Sequence, residues 1–254
     1  MIFLAHGFTS RARRIRDMWQ NKRLVVVLPT YNEHLSIASC IARFEGLGIV
    51  DEVLVVNNNA HPATSPEVAT TGAREVFESI QGYGAAIRRG LAETRDADLV
   101  CVCEPDGTFD PEDLLKLLPY TGDVDIVFGS RTVQEFILSG ANMGTFLKWG
   151  NWAVAKLTEV LFNTVYLSDV GCTFRVLSRD AANRLEPLLT TNASALGYEM
   201  MLGAVSQRMP IVQIPVNYRE RVGESSVTGS RWKAFVLGME MIRMCVALRL
   251  RTKP

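Results

Sequence analysis

Short runs of β-branched and apolar residues recur along the chain, and each stops abruptly at a polar cluster. The runs are 24–29 (LVVVLP), 52–56 (EVLVV), 73–77, 98–103 (DLVCVC) and 125–128 (DIVF). Most lack polar alternation, which predicts strands buried on both faces. Helical stretches fall between them. Residues 33–44 predict a helix with Leu35, Ile37, Ala38, Ile41 and Ala42 turned inward. A flexible turn at Gly82 to Gly84 precedes a second helix over 85–94, and Pro111 opens a third, where its missing N–H costs nothing. Alternation of this kind predicts an α/β fold, Rossmann-like, with a mostly parallel sheet flanked by helices. Ligands of such sheets bind beyond the carboxyl ends of the strands. The polar clusters stand there: 30–33, Asn57-Asn58-Asn59, Glu104-Pro105-Asp106 and Ser130-Arg131.

The 254 residues suffice for one sizeable domain, expected over 23–230. Twenty-seven basic residues balance 27 acidic ones, so no global field draws the chain to nucleic acid. Specificity must come from a local site. Cys40, Cys101, Cys103 and Cys245 sit in apolar patterns, and with Cys172 they make an odd count without metal-ligand spacing. Buried free thiols in a reducing, cytoplasmic compartment are the expectation. Residues 1–22 join a short apolar stretch to four arginines in RARRIR. They read as a flexible arm, a helix docked elsewhere, or an upstream start. No run reaches the length of a membrane span. The last segment, 231–254, predicts an apolar helix whose broad surface is Trp232, Phe235, Val236, Met239, Ile242, Val246 and Leu250. Packing on the domain, dimerisation, or lying on the cytoplasmic membrane face as a peripheral contact are its three readings.

Six motifs follow in order: Pro29-Thr30-Tyr31-Asn32-Glu33, Gln81-Gly82-Tyr83-Gly84-Ala85-Ala86, Glu104-Pro105-Asp106, Gly129-Ser130-Arg131, Gly171-Cys172-Thr173-Phe174-Arg175 and Arg221-Val222-Gly223-Glu224-Ser225. Together they resemble the family 2 glycosyltransferases of the GT-A fold. In motif order they are most similar to the dolichyl- and polyprenyl-phosphate sugar synthases. The resemblance covers roughly residues 24–230.

The resemblance implies a nucleotide-sugar donor, Mg²⁺ or Mn²⁺, and transfer with inversion. A diphosphate leaving group gathers negative charge, which a bridging divalent cation neutralises. Asp106 is the first-choice ligand and central catalytic residue. Glu104, standing where the family carries Asp, reaches the metal through water or contacts the ribose. The plain alternative is an acidic turn capping the helix at Pro111. Pro29, Thr30 and Tyr31 are placed by the same likeness at the base and ribose. Glu33 either accepts from ribose hydroxyls or supplies charge to a helix start. Asn57 and Asn58 stand where the family carries an Asp. An amide can accept from a pyrimidine N3–H and donate to O4, which favours a uridine or thymidine sugar over a guanosine sugar. An Asn-rich turn is the competing reading. Gly82, Gly84 and Pro105 would let backbone approach the nucleotide.

Arg131 and Arg221 are implied phosphate contacts, with Arg175 and Ser225 in the same acceptor region; Arg suits phosphate through its rigid fork. Ser226 stands where the family has Lys, which leaves a polyprenyl phosphate and a small hydroxyl acceptor both open. A hydroxyl acceptor needs a base, for which Asp169 and Glu199 are the candidates, whereas a phosphate needs none. Two other functions compete. A sugar-phosphate nucleotidyltransferase would carry a Gly-rich basic loop where Pro29 to Glu33 stand. A catalytically silent sugar-nucleotide-binding protein would explain the departures at Asn57 to Asn59, Glu104 and Ser226.

Overall fold

The computed structural model describes residues 19–141, 144–164, 166–223 and 231–251. In chain order the elements are β1 (Leu24–Thr30), α1 (Ile37–Gly46), β2 (Glu52–Asn57), α2 (Thr64–Ala69), β3 (Arg74–Phe77), α3 (Tyr83–Glu93), β4 (Leu99–Val102), α4 (Leu114–Leu117), β5 (Ile126–Ser130), α5 (Thr145–Phe162), β6 (Arg175–Ser178), α6 (Arg179–Leu185), α7 (Leu196–Ser206), β7 (Ile211–Pro215) and α8 (Arg231–Arg251). The strands form one seven-stranded sheet in the order β3-β2-β1-β4-β6-β5-β7. Only β6, between β4 and β5, pairs antiparallel. All seven residues of β1 are buried because it pairs on both edges and is covered on both faces. Alternate residues feed two apolar layers. Val25, Val27, Leu54 and Val100 pack with α3 and with parts of α5, α7 and α8. Leu24, Val26, Val53 and Val55 pack with Ile37, Cys40, Ile41 and Phe44 of α1. This explains why the strand sequences show no polar alternation. A Cβ on Gly90 would stand 2.3 Å from Val27 Cγ1, so glycine lets α3 lie close on the sheet.

The parallel strands bring the ends of β1, β2, β4 and β5 to one edge, as expected. Local boundaries differ. The helix expected from residue 33 begins at Ile37, because the Glu33 carboxylate folds back onto its own loop instead of leading a helix. Its inward face is therefore shifted: Leu35 is 70% exposed and Ala42 is exposed, while Cys40 and Phe44 are buried. Pro111 opens a 3-10 turn that runs into α4. All five cysteines are free and buried.

The last helix also turns differently from expectation. Met241 and Cys245 are its buried residues, with Leu237, Ile242 and Leu248 packed against the core. Trp232, Phe235, Val236, Met239, Val246 and Leu250 are exposed. The apolar surface read from the sequence is thus mostly the outer one, and packing on α5 and α7 uses another stripe. Among the described residues no helix is long and apolar enough to cross a membrane. Residues 1–18 of the expected arm lie outside the described residues.

Candidate active site

Past the end of β4, the chain leaves the sheet through Glu104-Pro105-Asp106 and turns at Gly107, whose φ of +80° suits glycine. Several bonds fix this turn. Ser36 Oγ donates to Pro105 O at 2.6 Å, and Val222 N donates to Asp106 O at 2.9 Å. Asp106 is buried, and its Oδ1 accepts from Thr108 N at 2.9 Å and Thr108 Oγ1 at 2.6 Å. Its Oδ2 accepts from Arg221 Nε at 2.9 Å and forms an ion pair with Nη2 at 2.5 Å. The same Nη2 lies 3.3 Å from Glu104 Oε2 and 4.0 Å from Glu33 Oε1. Burial, and then the charge of Asp106, push the Glu104 carboxyl up to about 8, against the pull of Arg221. Three carboxylates thus share one guanidinium.

Among the described residues, no group of three or more His, Cys, Asp or Glu side chains is arranged to hold a metal. Two hard carboxylates around one cationic group are nonetheless a donor set that fits Mg²⁺ or Mn²⁺. Such an ion takes one or two protein carboxylates and completes its shell with water and substrate phosphates.

The loop of residues 30–33 is held by its own side chains. Glu33 Oε2 accepts from Tyr31 N at 2.7 Å, Asn32 N at 2.9 Å and Thr30 Oγ1 at 3.1 Å. Asn58 is buried, and both ends of its amide are engaged. Nδ2 donates to Glu78 O and Ile80 O, and Oδ1 accepts from Gly82 N and Gln81 Nε2. Asn57 Nδ2 donates to Ser65 Oγ and Glu75 Oε1, and its Oδ1 accepts from Ala60 N. The two amides fold the loops onto each other, so in this arrangement neither offers the donor–acceptor pair expected for a pyrimidine edge. The glycines serve close approach to another segment. A Cβ on Gly84 would lie 2.3 Å from Thr191 O, and one on Gly82 2.1 Å from Asn192 O.

At the end of β5, Arg131 and the buried Asp169 form a fork-to-fork pair. Arg131 Nε donates to Oδ2 at 2.9 Å and Nη2 to Oδ1 at 3.0 Å, while Arg131 N also donates to Oδ2. Burial alone would raise the Asp169 carboxyl. The Arg131 guanidinium outweighs it and holds the group below its ordinary value, helped by N–H donation from Arg131 and Gly171. Arg131 also lies over the Tyr218 ring at 5.2 Å.

These parts meet at a cavity of about 670 Å³. Glu33, Glu104, Asp106 and Arg221 stand at one part of its wall and Arg131 at another. Leu147 and Val154 of α5, with Phe235 and Met239 of α8, supply apolar wall.

The sequence profile of glycosyl transferase family 2 matches residues 25–185, more than half the chain. The dolichyl-phosphate hexose transferase of Haloferax volcanii is 30% identical over 234 residues, covering 90% of this chain and 96% of that protein. The low-salt glycan biosynthesis hexosyltransferase Agl6 of the same organism is 32% identical over 211 residues. That match covers 80% of this chain but 49% of the relative, so the chain spans about half its length. The undecaprenyl-phosphate mannosyltransferase of Micrococcus luteus is 26% identical over 220 residues, covering 82% of this chain and 88% of that protein. The chain belongs to glycosyl transferase family 2. Among solved structures, glucosyl-3-phosphoglycerate synthase from Mycobacterium tuberculosis, in complex with Mn²⁺, UDP and phosphoglyceric acid, aligns with a TM-score of 0.71 at 18% identity. It covers 92% of this chain and 81% of that one, and at this identity the likeness shows the GT-A fold.

Within this family 2 fold, the structure divides the residues singled out from the sequence. Pro29, Thr30, Tyr31, Glu33, Asn58 and Gly82 line the cavity, as do Glu104, Asp106, Arg131 and Arg221. Asn57, Gly84 and Pro105 stand behind that wall and hold it. Arg175 is a correction: it is 1% exposed, with Nη1 donating to Gly197 O at 2.7 Å and its guanidinium 5.4 Å from the Phe128 ring centroid. A guanidinium so enclosed joins β6 to α7 and does not line the cavity. Glu199 is another: its carboxylate accepts from Thr190 N, Thr190 Oγ1 and Thr191 N, and it does not line the cavity. Asp169, expected as a candidate base, has both carboxylate oxygens committed to Arg131 and does not line the cavity. Ser225 lies outside the described residues. Sequence reasoning missed Thr108, which orients Asp106, and Tyr218, which underlies Arg131. The D-G-T spacing carried a signal for Thr108, since a hydroxyl two residues after Asp readily closes such a turn. Nothing local marked Tyr218, which is far away along the chain.

Proposed function

We propose that this family 2 member transfers a hexosyl group from a nucleoside-diphosphate sugar to a polyprenyl phosphate. The observation that carries the acceptor is the disposition of carboxylates. Both candidate bases, Asp169 and Glu199, are consumed by other bonds. Among the described residues, the carboxylates lining the cavity are Glu33, Glu104 and Asp106, all gathered around Arg221. Among the described residues a neutral hydroxyl would find no uncommitted carboxylate to take its proton, whereas a phosphate monoester is already an anionic nucleophile. Arg131, held rigid by Asp169, supplies a cation for that phosphate. The apolar wall from α5 and α8 suits the chain attached to it.

The chemistry is a single in-line displacement. A bond forms between an acceptor phosphate oxygen and the sugar C1, the bond from C1 to the donor diphosphate breaks, and the configuration at C1 inverts. Bound at Glu104 and Asp106, Mg²⁺ or Mn²⁺ would neutralise charge gathering on the departing diphosphate. The loop of Thr30 to Glu33 positions the nucleoside, and the two arginines align acceptor with donor. A uridine donor is the first to test, since the solved neighbour binds UDP. The exposed face of α8 around Trp232 and Phe235 would rest on the bilayer that carries the acceptor.

A mass-spectrometric screen pairs UDP-, GDP- and dTDP-hexoses with polyprenyl phosphate and with soluble hydroxyl acceptors. Hexosyl polyprenyl phosphate as the dominant product is expected. Transfer to soluble hydroxyls alone would overturn the acceptor, and nucleotide turnover without any transfer would overturn the reaction.

A further inference from the structure

Asp106 offers a cation only one of its two oxygens. Oδ1 is engaged by Thr108 through both the backbone N–H and the hydroxyl. Oδ2 faces Glu104 and Glu33, and Arg221 holds it through Nε at 2.9 Å and Nη2 at 2.5 Å. With Nε donating to it and Nη2 in close ion contact, the guanidinium occupies the side of Oδ2 that a cation would approach. A divalent ion at Oδ2 would also lie beside the guanidinium, where like charges repel. We infer that Arg221 competes with the divalent cation for Asp106 Oδ2 and leaves the carboxylates when the cation binds, the donor diphosphate taking up the released guanidinium. This rests on the reading of Glu104 and Asp106 as the cation site.

The main chain does not need to move for this exchange. Val222 N donates to Asp106 O at 2.9 Å and Arg219 N to Thr108 O at 2.8 Å, so this strand of backbone is stitched to the Asp106 turn on both sides of residue 221. The swing belongs to the long side chain. Cation and guanidinium are then antagonists at the carboxylates, and a nucleoside diphosphate relieves the antagonism by offering the guanidinium a second anion. By linkage, nucleotide and cation should each raise the affinity of the other, and part of that coupling should run through Arg221.

The test is a titration of Mn²⁺ followed by the electron paramagnetic resonance signal of the free ion, without and with UDP, for the wild type, Arg221→Gln and Arg221→Lys. Without UDP, Arg221→Gln should bind Mn²⁺ about tenfold more tightly than the wild type, within the usual range of coupling between sites. UDP should raise Mn²⁺ affinity in the wild type by a larger factor than in Arg221→Gln. Arg221→Lys, a cation without the fork, should fall between. Equal or weaker Mn²⁺ binding in Arg221→Gln with a cooperative melt would overturn the competition. If Arg221→Gln does not fold, the Lys variant decides: affinity no higher than that of the wild type overturns the inference. If no variant and not even the wild type binds Mn²⁺ with UDP present, the cation site itself is wrong and the inference falls with it. Loss of Mn²⁺ binding in Asp106→Asn, with binding kept in the wild type, ties the effect to Oδ2.

Discussion

The two walls of the cavity are built by opposite means. On the charged part of the wall the groups are partnered: Glu33 with its own loop, and Asp106 with Thr108 and Arg221, while Arg131, at another part of the wall, pairs with Asp169. At the wall of α5 and α8 the lining side chains are mostly apolar, Asn151 excepted, and several of them remain partly in water, Phe235 at 47% and Met239 at 49% exposure. The first wall is preorganised by electrostatics in a buried setting, where unpaired charge is costly. The second is held only by packing on its inner side and presents outward surface for another apolar body. On the proposed reading, the charged wall serves the donor and the apolar wall the chain of the acceptor.

The comparison breaks most visibly at Asp169. Replacing it with Asn leaves the buried Arg131 guanidinium without a counter-charge. Asp169→Asn should cost about 3–5 kcal/mol in denaturant unfolding, in line with other broken buried pairs. A loss below ~1 kcal/mol would mean that the pair does not hold this end of the site together. Next is Asp106→Asn, which keeps shape but weakens the cation site. It should lower kcat of donor turnover about 10²–10³-fold with Mg²⁺ or Mn²⁺, the scale on which single electrostatic stabilisers act. Activity equal to wild type would remove Asp106 from the chemistry.

A third prediction concerns pH. Glu104 ordinarily titrates near 4.5 and is pushed up to about 8 in the fold. Between these values the folded state holds a proton that the unfolded state has lost. Its contribution is present at low pH and disappears as pH rises toward 8. Chemical denaturation at steps from pH 5 to 8.5, without divalent ions, should show falling stability, and Glu104→Gln should flatten that slope. Asp169, held below its ordinary value, acts in the other window: its contribution is present above about pH 4 and is lost as pH falls further. The smallest stability effect is expected at the apolar wall. Phe235→Ser removes a half-exposed ring and should change stability by about 1 kcal/mol or less. It should raise KM for long-chain polyprenyl phosphate while leaving KM for the nucleotide sugar unchanged. Equal effects on both substrates would show that the two walls are not separate.

The sheet and the edge that carries the site were legible in the sequence, because strand burial and polar stops are local properties. The runs at 24–29, 52–56 and 98–103 announce buried strands by their own composition. The parallel order that follows brings their polar ends together whatever the details. The six motifs add the family. Which polar residues face the cavity was not legible. Glu104, Asp106 and Arg221 meet across more than a hundred positions of chain, and Arg131 meets Asp169 across 38. Arg175 and Arg131 look alike in sequence, each in a short motif after a strand or within one. The fold sends the first under α7, where backbone carbonyls absorb its donors, and the second to the cavity beside a buried carboxylate. Asn58 offers the same lesson: its amide is spent on Gly82 and Ile80, partners more than twenty residues away. Periodicity and composition therefore determined the architecture and the sheet edge at which the polar clusters gather. Tertiary pairing decided which charged groups remain available to that ligand, because a buried polar group takes whatever partner the fold brings within reach.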